Sequence, residues 1–458
     1  MQPTTRPTRL PRALRPLAHR DYRYLMASVA ASLMASGVWL VALVWQVMRM
    51  GGGPSQLSLV ATGSSVGMVL SVLAGGVAAD RLPKRTLLLV VELTRVVAVA
   101  TAGLLALLGD PSIWQLALLA LTVGAAEGFF YPAYTALLPS MLPADELLAA
   151  NGVDGTLRPI TQTGAGPALA GVVVAAYSPA AAMLTAAACY AVALAALVAL
   201  RGGTARQEPS GDPVLRDVRE GFRYMFRTGW FLATMAFAVL YVLLLLGPIE
   251  VLLPFAVRDQ TGAGPAGFSL VLVAFGVGGA IGSLATASAR LPRRYLTAML
   301  LTWGLGALPL AVIGLTDRLW LMVAATLAVG CAWESGTVIW GTLLQRRVPA
   351  RLLGRVSSVD LFVSVALMPA SMALAGPVGE RLTVPVTFLV AATVPAILAV
   401  AALVVWRLPA DEIAHPLDRA AGFAHPPAVG DTAQRTETPP EPAEEPVPEA
   451  TGEPLRAP

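Results

Sequence analysis

Residues 76–85 read GVAADRLPKR and join two long apolar runs. The run before this segment covers residues 57–79, and the run after it covers residues 86–108. Each run has the length of about 20 residues that an α-helix needs to cross roughly 30 Å of hydrocarbon. The segment is therefore predicted to be a short basic connection between two transmembrane helices, with Asp80 at the membrane edge.

The whole chain is apolar enough to belong in a membrane. Of its 458 residues, 56% are hydrophobic and 13% are charged, which is about half the charged share of a soluble domain. A water-soluble globule is thereby excluded, and continuous apolar runs speak against the alternating strands of a transmembrane β-barrel. We predict an all-α integral membrane protein with twelve transmembrane helices. Their approximate bounds are 25–47, 57–79, 86–108, 113–136, 157–177, 179–200, 230–254, 267–289, 295–315, 319–341, 357–379 and 384–406.

Basic residues are distributed unevenly between the connections. Clusters of them stand before the first run and after the second, sixth, eighth and tenth runs, and the intervening loops hold only Arg49, Arg258, Arg318 and Arg381. Short loops on the cytoplasmic side of a membrane collect such residues. We therefore predict a multi-pass protein with both termini in the cytoplasm.

The two halves of the chain carry similar sequence at equivalent points. The segment RLPKR at 81–85 recurs as RLPRR at 290–294, and the Val-Gly pair at 123–124 recurs at 329–330. Such repetition is typical of duplicated transporter halves.

Residues 214–226 have an amphipathic pattern and are predicted to form a surface helix. The predicted organisation is a basic cytoplasmic arm (1–24), an N-terminal six-helix half (25–200), a cytoplasmic linker (201–229), a C-terminal six-helix half (230–406) and a disordered acidic, proline-rich tail (407–458).

The segment GVAADRLPKR resembles the signature loop of the major facilitator superfamily. In that family the order is Gly, three residues, Asp, a basic residue, one residue, Gly and two basic residues, and Pro83 here stands in place of the second Gly. The resemblance implies the major facilitator fold, in which two pseudo-symmetric halves rock about a central site. It also implies that Asp80 holds the halves in the outward-open state, and we expect Gly76 to allow a close helix approach. The residues assigned to this conformational-switch motif are Gly76, Asp80, Arg81, Lys84 and Arg85.

Three other segments are similar to the bacterial branch of drug-efflux and siderophore-export proteins. They are FYPA at 130–133, GP at 166–167 followed by Gly171, and LGRV at 353–356. Gly166, Pro167 and Gly171 partly match the fifth-helix motif of antiporters, whereas Leu121 and Thr122 occupy the region where many proton-coupled members have an arginine. The resemblance implies proton-coupled efflux of a small amphipathic drug, antibiotic or siderophore across the bacterial inner membrane.

Few ionisable side chains lie inside the apolar runs, where each costs several kcal/mol unless it is paired or hydrated. Glu127 and Glu334 occupy comparable depths in the two predicted halves. Protonation of a carboxylate at such a depth removes its charge and can bias a conformational equilibrium, so both are candidates for proton coupling. The alternative is a neutral buried carboxyl with a structural hydrogen bond. Glu250 and Asp360 lie near predicted helix ends, where water can reach them, and they rank below the first two.

Two further pairs of charges share a helix face. Glu92 and Arg95 are three residues apart, and Asp154 and Arg158 are four residues apart, which are the spacings of neighbours on an α-helix. We predict that Glu92 and Arg95 form a structural ion pair rather than a ligand site. For Arg158 we predict either a structural pair with Asp154 or a contact with acids of the repeated loops, again in preference to ligand binding.

Aromatic side chains within the apolar runs can line a cavity for a planar substrate. The alternative is that some of them anchor the helices at the membrane interface. Trp333 adjoins Glu334, and a ring beside a carboxylate suits a cationic aromatic compound. The candidates for the substrate cavity are Trp39, Tyr131, Trp303, Trp333 and Trp340.

Other classes of protein find little support in the sequence. His19, His415 and His425 lie outside the apolar runs, and Cys189 and Cys331 lack the spacing of a metal site or disulfide, so we predict no metal. Neither a P-loop nor a cluster of His, Asp and Glu on the loops is present, so we predict that the energy source is not ATP and that the protein is not an enzyme. We predict a monomeric transporter whose partners are lipid, protons and a small amphipathic substrate, without cofactor or nucleic acid. A nutrient or metabolite importer of the same fold and a membrane receptor without transport stay open as alternatives.

Overall fold

The computed structural model describes residues 12–109, 111–138, 141–143, 146–200, 214–349 and 352–417. Over these residues the protein consists of helices and connecting turns, with no β-strand. A 3-10 helix, Arg12–Ala18, precedes the first long helix, and a π-helical segment, Pro159–Ala165, lies in the first predicted half. The helices of the first predicted half are α1 (Arg20–Arg49), α2 (Pro54–Arg81), α3 (Lys84–Leu108), α4 (Ile113–Leu137), α5 (Leu147–Arg158), α6 (Gly166–Ala176) and α7 (Pro179–Ala199).

The linker contributes α8 (Val214–Arg227), which confirms the helix that its amphipathic pattern predicts. A second π-helical segment, Pro248–Leu252, lies in the second predicted half. The remaining helices are α9 (Gly229–Gly247), α10 (Leu253–Thr261), α11 (Pro265–Ser288), α12 (Tyr295–Gly306), α13 (Leu310–Leu315), α14 (Leu319–Arg347), α15 (Leu353–Ala366), α16 (Met368–Leu382), α17 (Val384–Val405) and α18 (Leu408–Ala414).

Eleven helical stretches of the described chain are long and apolar enough to cross a bilayer. The all-α membrane fold is therefore confirmed, whereas the exact count of twelve is not. The predicted span outside the eleven is the fifth, 157–177, which falls mainly on the first π-helical segment and α6. Thr161, Gln162 and Thr163 lie in that segment, and their polar side chains lower its hydropathy.

The repeated Val-Gly pair lies at close helix contacts in both predicted halves. A methyl group at Gly124 would overlap the carbonyl oxygen of Ser64, so glycine is what allows α4 to approach α2 so closely. At Gly330 a methyl group would overlap the carbonyl oxygen of Phe275, and α14 packs on α11 in the same way. The sequence repeat thus marks equivalent packing positions.

The chain remains helical beyond the predicted start of the tail at residue 407. Glu412 of α18 is 1% exposed, and its carboxylate accepts hydrogen bonds from the backbone N–H groups of Leu296 (2.8 Å) and Thr297 (3.1 Å) and from the Thr297 hydroxyl (2.6 Å). These N–H groups belong to the first turn of α12, where they have no partner within the helix. Residues 408–414 are therefore a docked helix rather than part of a disordered tail, and residues 418–458 lie outside the described residues.

Two truncations test the role of α18. A chain that ends at Leu417 keeps this helix, and we expect it to unfold at the same temperature as the full-length protein, because the removed segment is too poor in apolar residues to form a core. A chain that ends at Trp406 loses the Glu412 cap, and we expect it to lose at least about 2 kcal/mol, the scale of a hydrogen bond to a charged group. Thermal unfolding of the purified proteins in detergent measures both, and equal midpoints for the two truncations would contradict the capping role.

Candidate functional site

A cavity of about 320 Å³ lies among helices of both predicted halves. Its wall is mostly apolar, with a few hydroxyl groups, one amide and two carboxylates, a composition typical of small-molecule sites. The residues that line the cavity include Trp39 of α1, Met68 of α2, Glu127 of α4, Gln162 of the first π-helical segment, Tyr190 of α7, Glu250 of the second π-helical segment, Phe275 of α11 and Met368 of α16.

Arg95 is the centre of a charged cluster beside this cavity. Its side chain is 1% exposed and that of Glu92 is fully buried, and Nη1 of Arg95 lies 3.2 Å from Oε1 of Glu92. The hydroxyl of Ser32 in α1 donates to Oε1 of Glu92 (2.8 Å) and accepts from Nη1 of Arg95 (2.9 Å). The two residues that the sequence places on one face of α3 are therefore in contact and are tied to α1.

Glu127 joins the same cluster from α4. Its carboxylate accepts a hydrogen bond from Nη2 of Arg95, and 29% of its side chain is exposed, on the wall of the cavity. The Arg95 guanidinium also lies 4.8 Å from the ring centre of Phe130 and 5.6 Å from that of Tyr190. One guanidinium thus serves two carboxylates, so the ionised cluster carries a net charge of −1 at the edge of the cavity.

Glu250 lines the same cavity from the opposite predicted half. The sequence predicts that Glu250 lies near the end of a span at residue 254, whereas the helical stretch continues from Gly229 to Thr261. Glu250 lies in the π-helical segment because Pro254 has no N–H to donate to the carbonyl four residues before it. The residues that follow Glu250 are apolar as far as Val257. This pattern is the sequence signal that indicates a helix end beyond residue 254.

Glu334 occupies a different environment from Glu127. It lies on α14, where its side chain packs against Gly279 of α11, and it is not among the residues that line the cavity described above. Its neighbour Trp333 belongs to an aromatic cluster. The ring centres of Trp333 and Tyr241 are 5.4 Å apart, and the indole N–H of Trp303 donates to the Trp333 carbonyl (3.1 Å). The structure therefore does not bring the two depth-matched carboxylates together.

The remaining aromatic candidates are dispersed. Trp39 lines the cavity. Trp340 stacks on Phe231 and donates from its indole N–H to both carboxylate oxygens of Asp360, each at 3.2 Å. Tyr131 is 47% exposed, and the guanidinium carbon of Arg158 lies 5.7 Å from the centre of the Tyr131 ring.

Asp154 and Arg158 both lie on α5. Oδ1 of Asp154 and Nη2 of Arg158 are buried, and neither atom has a hydrogen-bond partner among the described residues. Their spacing on the helix is as predicted, but the ion pair between them stays a prediction.

The fifth-helix motif packs closely against α1 and α11. A methyl group at Gly166 would lie 2.9 Å from the Cα atom of Gly37 in α1, and one at Gly171 would overlap the hydroxyl of Ser269 in α11. Pro167 lines the cavity. These residues therefore fix where the first π-helical segment crosses α1 beside the cavity.

The conformational-switch motif spans the end of α2 and the start of α3. Arg81 ends α2, Lys84 begins α3 and is buried, and Arg85 donates to the carbonyls of Leu197 (3.3 Å) and Val198 (2.9 Å) at the end of α7. The side chain of Asp80 lies outside the described part of the chain. Gly76 does not mark a close approach, because no described heavy atom lies within 4 Å of the position of a Cβ there.

At the other end of α2, the helix is joined to α16. Glu380 accepts hydrogen bonds from the N–H (2.9 Å) and the hydroxyl (2.6 Å) of Ser55, which lies in the first turn of α2. One turn further, the Ser58 hydroxyl accepts from the N–H of Gly376 (3.2 Å) and donates to the carbonyl of Met372. Helices from the two predicted halves are thus bonded at the end that the predicted topology places outside the cell.

Comparison with known proteins agrees with this architecture. Residues 12–435 match the family model described as transmembrane secretion effector, MFS_3. The chain is 28% identical to multidrug efflux pump Tap of Mycolicibacterium fortuitum, over 84% of this chain and 95% of Tap. It is 26% identical to enterobactin exporter EntS of Escherichia coli O1:K1 / APEC, over 80% and 86% of the two chains. A bacterial homologue of the iron transporter ferroportin, solved in an inward-facing state, has a similar fold with a TM-score of 0.62, 17% identity and coverage of 83% of this chain and 98% of that one. The protein therefore belongs to the transmembrane secretion effector family of the major facilitator superfamily.

Proposed function

We propose that this transporter exports small amphipathic compounds from the bacterial cytoplasm across the inner membrane in exchange for protons. The observation that carries the proposal is the cavity between the two predicted halves, where an apolar and aromatic wall meets Glu127 and its partner Arg95. Tap is an efflux pump and EntS is an exporter, and the similarity to both favours export over the import of nutrients.

The proposed cycle is alternating access. Residues 25–200 and 230–406 move as two halves, and the linker and the basic arm stay in the cytoplasm with the chain termini. The bonds from Glu380 to Ser55 close the outer end of α2 against α16, and they must break for substrate to leave. The switch motif with Asp80 then closes the inner end.

Protons enter the cycle at Glu127. When Glu127 is ionised, Arg95 is shared between two carboxylates and the cluster carries one net negative charge. When Glu127 is protonated, the positive charge of Arg95 balances the negative charge of Glu92, and the cluster is neutral. Protonation changes the charge of this apolar site by one unit. It thereby changes the relative stability of the conformations that open the site to one side of the membrane or the other. Proton binding from outside and release to the cytoplasm can therefore drive the substrate outward.

Inside-out vesicles test both the direction and the energy source. With the membrane potential clamped and the vesicle interior acidified, we expect vesicles that contain the protein to accumulate erythromycin above the level of vesicles without it. A pH difference of one unit supports a gradient of up to about tenfold for each proton exchanged. Accumulation that survives nigericin, which collapses the pH difference, would contradict proton coupling, and no accumulation at all would favour a receptor or an importer.

A further inference from the structure

The two carboxylates of the cavity have different surroundings. Glu127 is bonded to Arg95. Glu250 lines the same wall, yet no described residue forms a hydrogen bond or an ion pair with it. An ionised carboxylate without a partner in an apolar site is unfavourable. Of the two carboxylates on the cavity wall, Glu250 is therefore the one without a bonded partner among the described residues.

The charges around the cavity do not supply the missing partner. Arg95 already serves Glu92 and Glu127, whose combined charge exceeds its own. The described part of the lining contains no lysine, arginine or histidine. Within the described wall, a compound that enters the cavity is therefore what can supply a positive charge to Glu250.

The rest of the cavity wall can pack against the apolar part of a cationic compound. Trp39 and Phe275 supply aromatic surface, and Met68 and Met368 supply flexible apolar side chains. Aromatic faces attract cations, and methionine adapts to ligands of different shape.

Glu250 is also held in place by its backbone. The hydroxyl of Ser371 in α16 accepts a hydrogen bond from the N–H of Gly247 (2.8 Å) and donates to the carbonyl of Leu243 (2.7 Å). These bonds fix α9 immediately before the π-helical segment that carries Glu250. A site on a fixed helical segment can orient a ligand more precisely than one on a loop.

We infer that Glu250 is the residue that binds the cationic group of the transported compound. The substrates are then amphipathic amines or onium ions that carry one positive charge beside an apolar body, and compounds that carry net negative charge are excluded. This inference rests on the proposed function, because it takes the cavity as the transport site.

Binding of tetraphenylphosphonium to the purified full-length protein in nanodiscs tests the assignment. Triphenylphosphine oxide is the matched probe, since it keeps aryl groups of similar size and has no charge. We expect the wild type to bind the cation more tightly than the oxide. We expect Glu250→Gln to weaken binding of the cation by about tenfold or more, the effect of losing a charged contact of at least about 1.4 kcal/mol, and to leave binding of the oxide unchanged. Glu334→Gln removes a carboxylate outside the cavity and should change neither.

The outcomes separate this inference from the proposed function. Equal wild-type affinity for the two probes, equal loss of both in Glu250→Gln, or unchanged binding of the cation in that variant would each overturn the role of Glu250. Because equilibrium binding requires no gradient, selective loss of the cation in Glu250→Gln supports the inference even where vesicles show no proton-driven accumulation. Conversely, proton-driven transport with unchanged cation binding in Glu250→Gln would leave the proposed function intact and remove only the inference.

Discussion

Replacing Arg95 by methionine is expected to deplete the folded protein from the membrane. The side chain of Glu92 is fully buried and its charge is balanced by Arg95. Among the described residues, Arg95→Met therefore leaves this carboxylate in an apolar site with the Ser32 hydroxyl as its one remaining partner. Removal of one member of a buried ion pair typically costs about 3–5 kcal/mol, a large part of the stability of most proteins. The yield of monodisperse protein in size-exclusion chromatography and its thermal midpoint measure the loss.

A double variant serves as the control for this prediction. Glu92→Gln together with Arg95→Met removes both buried charges, and Glu127 then retains access to water through the cavity. We expect the double variant to recover most of the yield, because a buried pair can be replaced by neutral side chains at little cost. An Arg95→Met protein as stable as the wild type would show that the cluster makes no net contribution to folding.

The membrane fold could be predicted from the sequence because its signals are local. Apolar runs of bilayer length, basic connections and the repeated Val-Gly pair all depend on neighbouring residues. The spacing of Glu92 and Arg95 likewise places them on one face of α3 before any tertiary contact is known. The position of a helix end depends less on neighbouring residues alone. The helical stretch extends through Pro254, so Glu250 lies farther from a helix end than the predicted span indicates.

The partners of the membrane carboxylates could not be predicted in the same way. Depth along a span is set by residue number, but the direction in which a side chain points depends on how the helix is rotated against its neighbours. Glu127 and Glu334 match in depth, yet Glu127 bonds to Arg95 at the cavity and Glu334 packs against Gly279. The composition of the acidic segment that contains Glu412 predicts disorder. Glu412 nevertheless caps α12 through specific hydrogen bonds, which composition cannot indicate.

Replacing Glu127 by glutamine is expected to abolish proton-driven export and to preserve substrate exchange. The amide keeps the shape of the side chain and can still accept a hydrogen bond from Arg95, while Glu92 still balances the Arg95 charge. The protein should therefore fold and bind. It can no longer gain and lose a proton at this position, so a pH difference has no group through which to act.

Two assays on the same inside-out vesicles separate these steps. Accumulation of erythromycin under an imposed pH difference requires net proton movement, whereas exchange of labelled for unlabelled erythromycin at equal pH does not. We expect Glu127→Gln to fail only in the first assay and Glu334→Gln to pass both, because Glu334 is not part of the cavity wall described here. Wild-type accumulation by Glu127→Gln under the pH difference would make Glu127 a structural partner of Arg95. Loss of exchange as well as accumulation would instead make it part of substrate binding or of the conformational change itself, since neither step depends on a proton gradient.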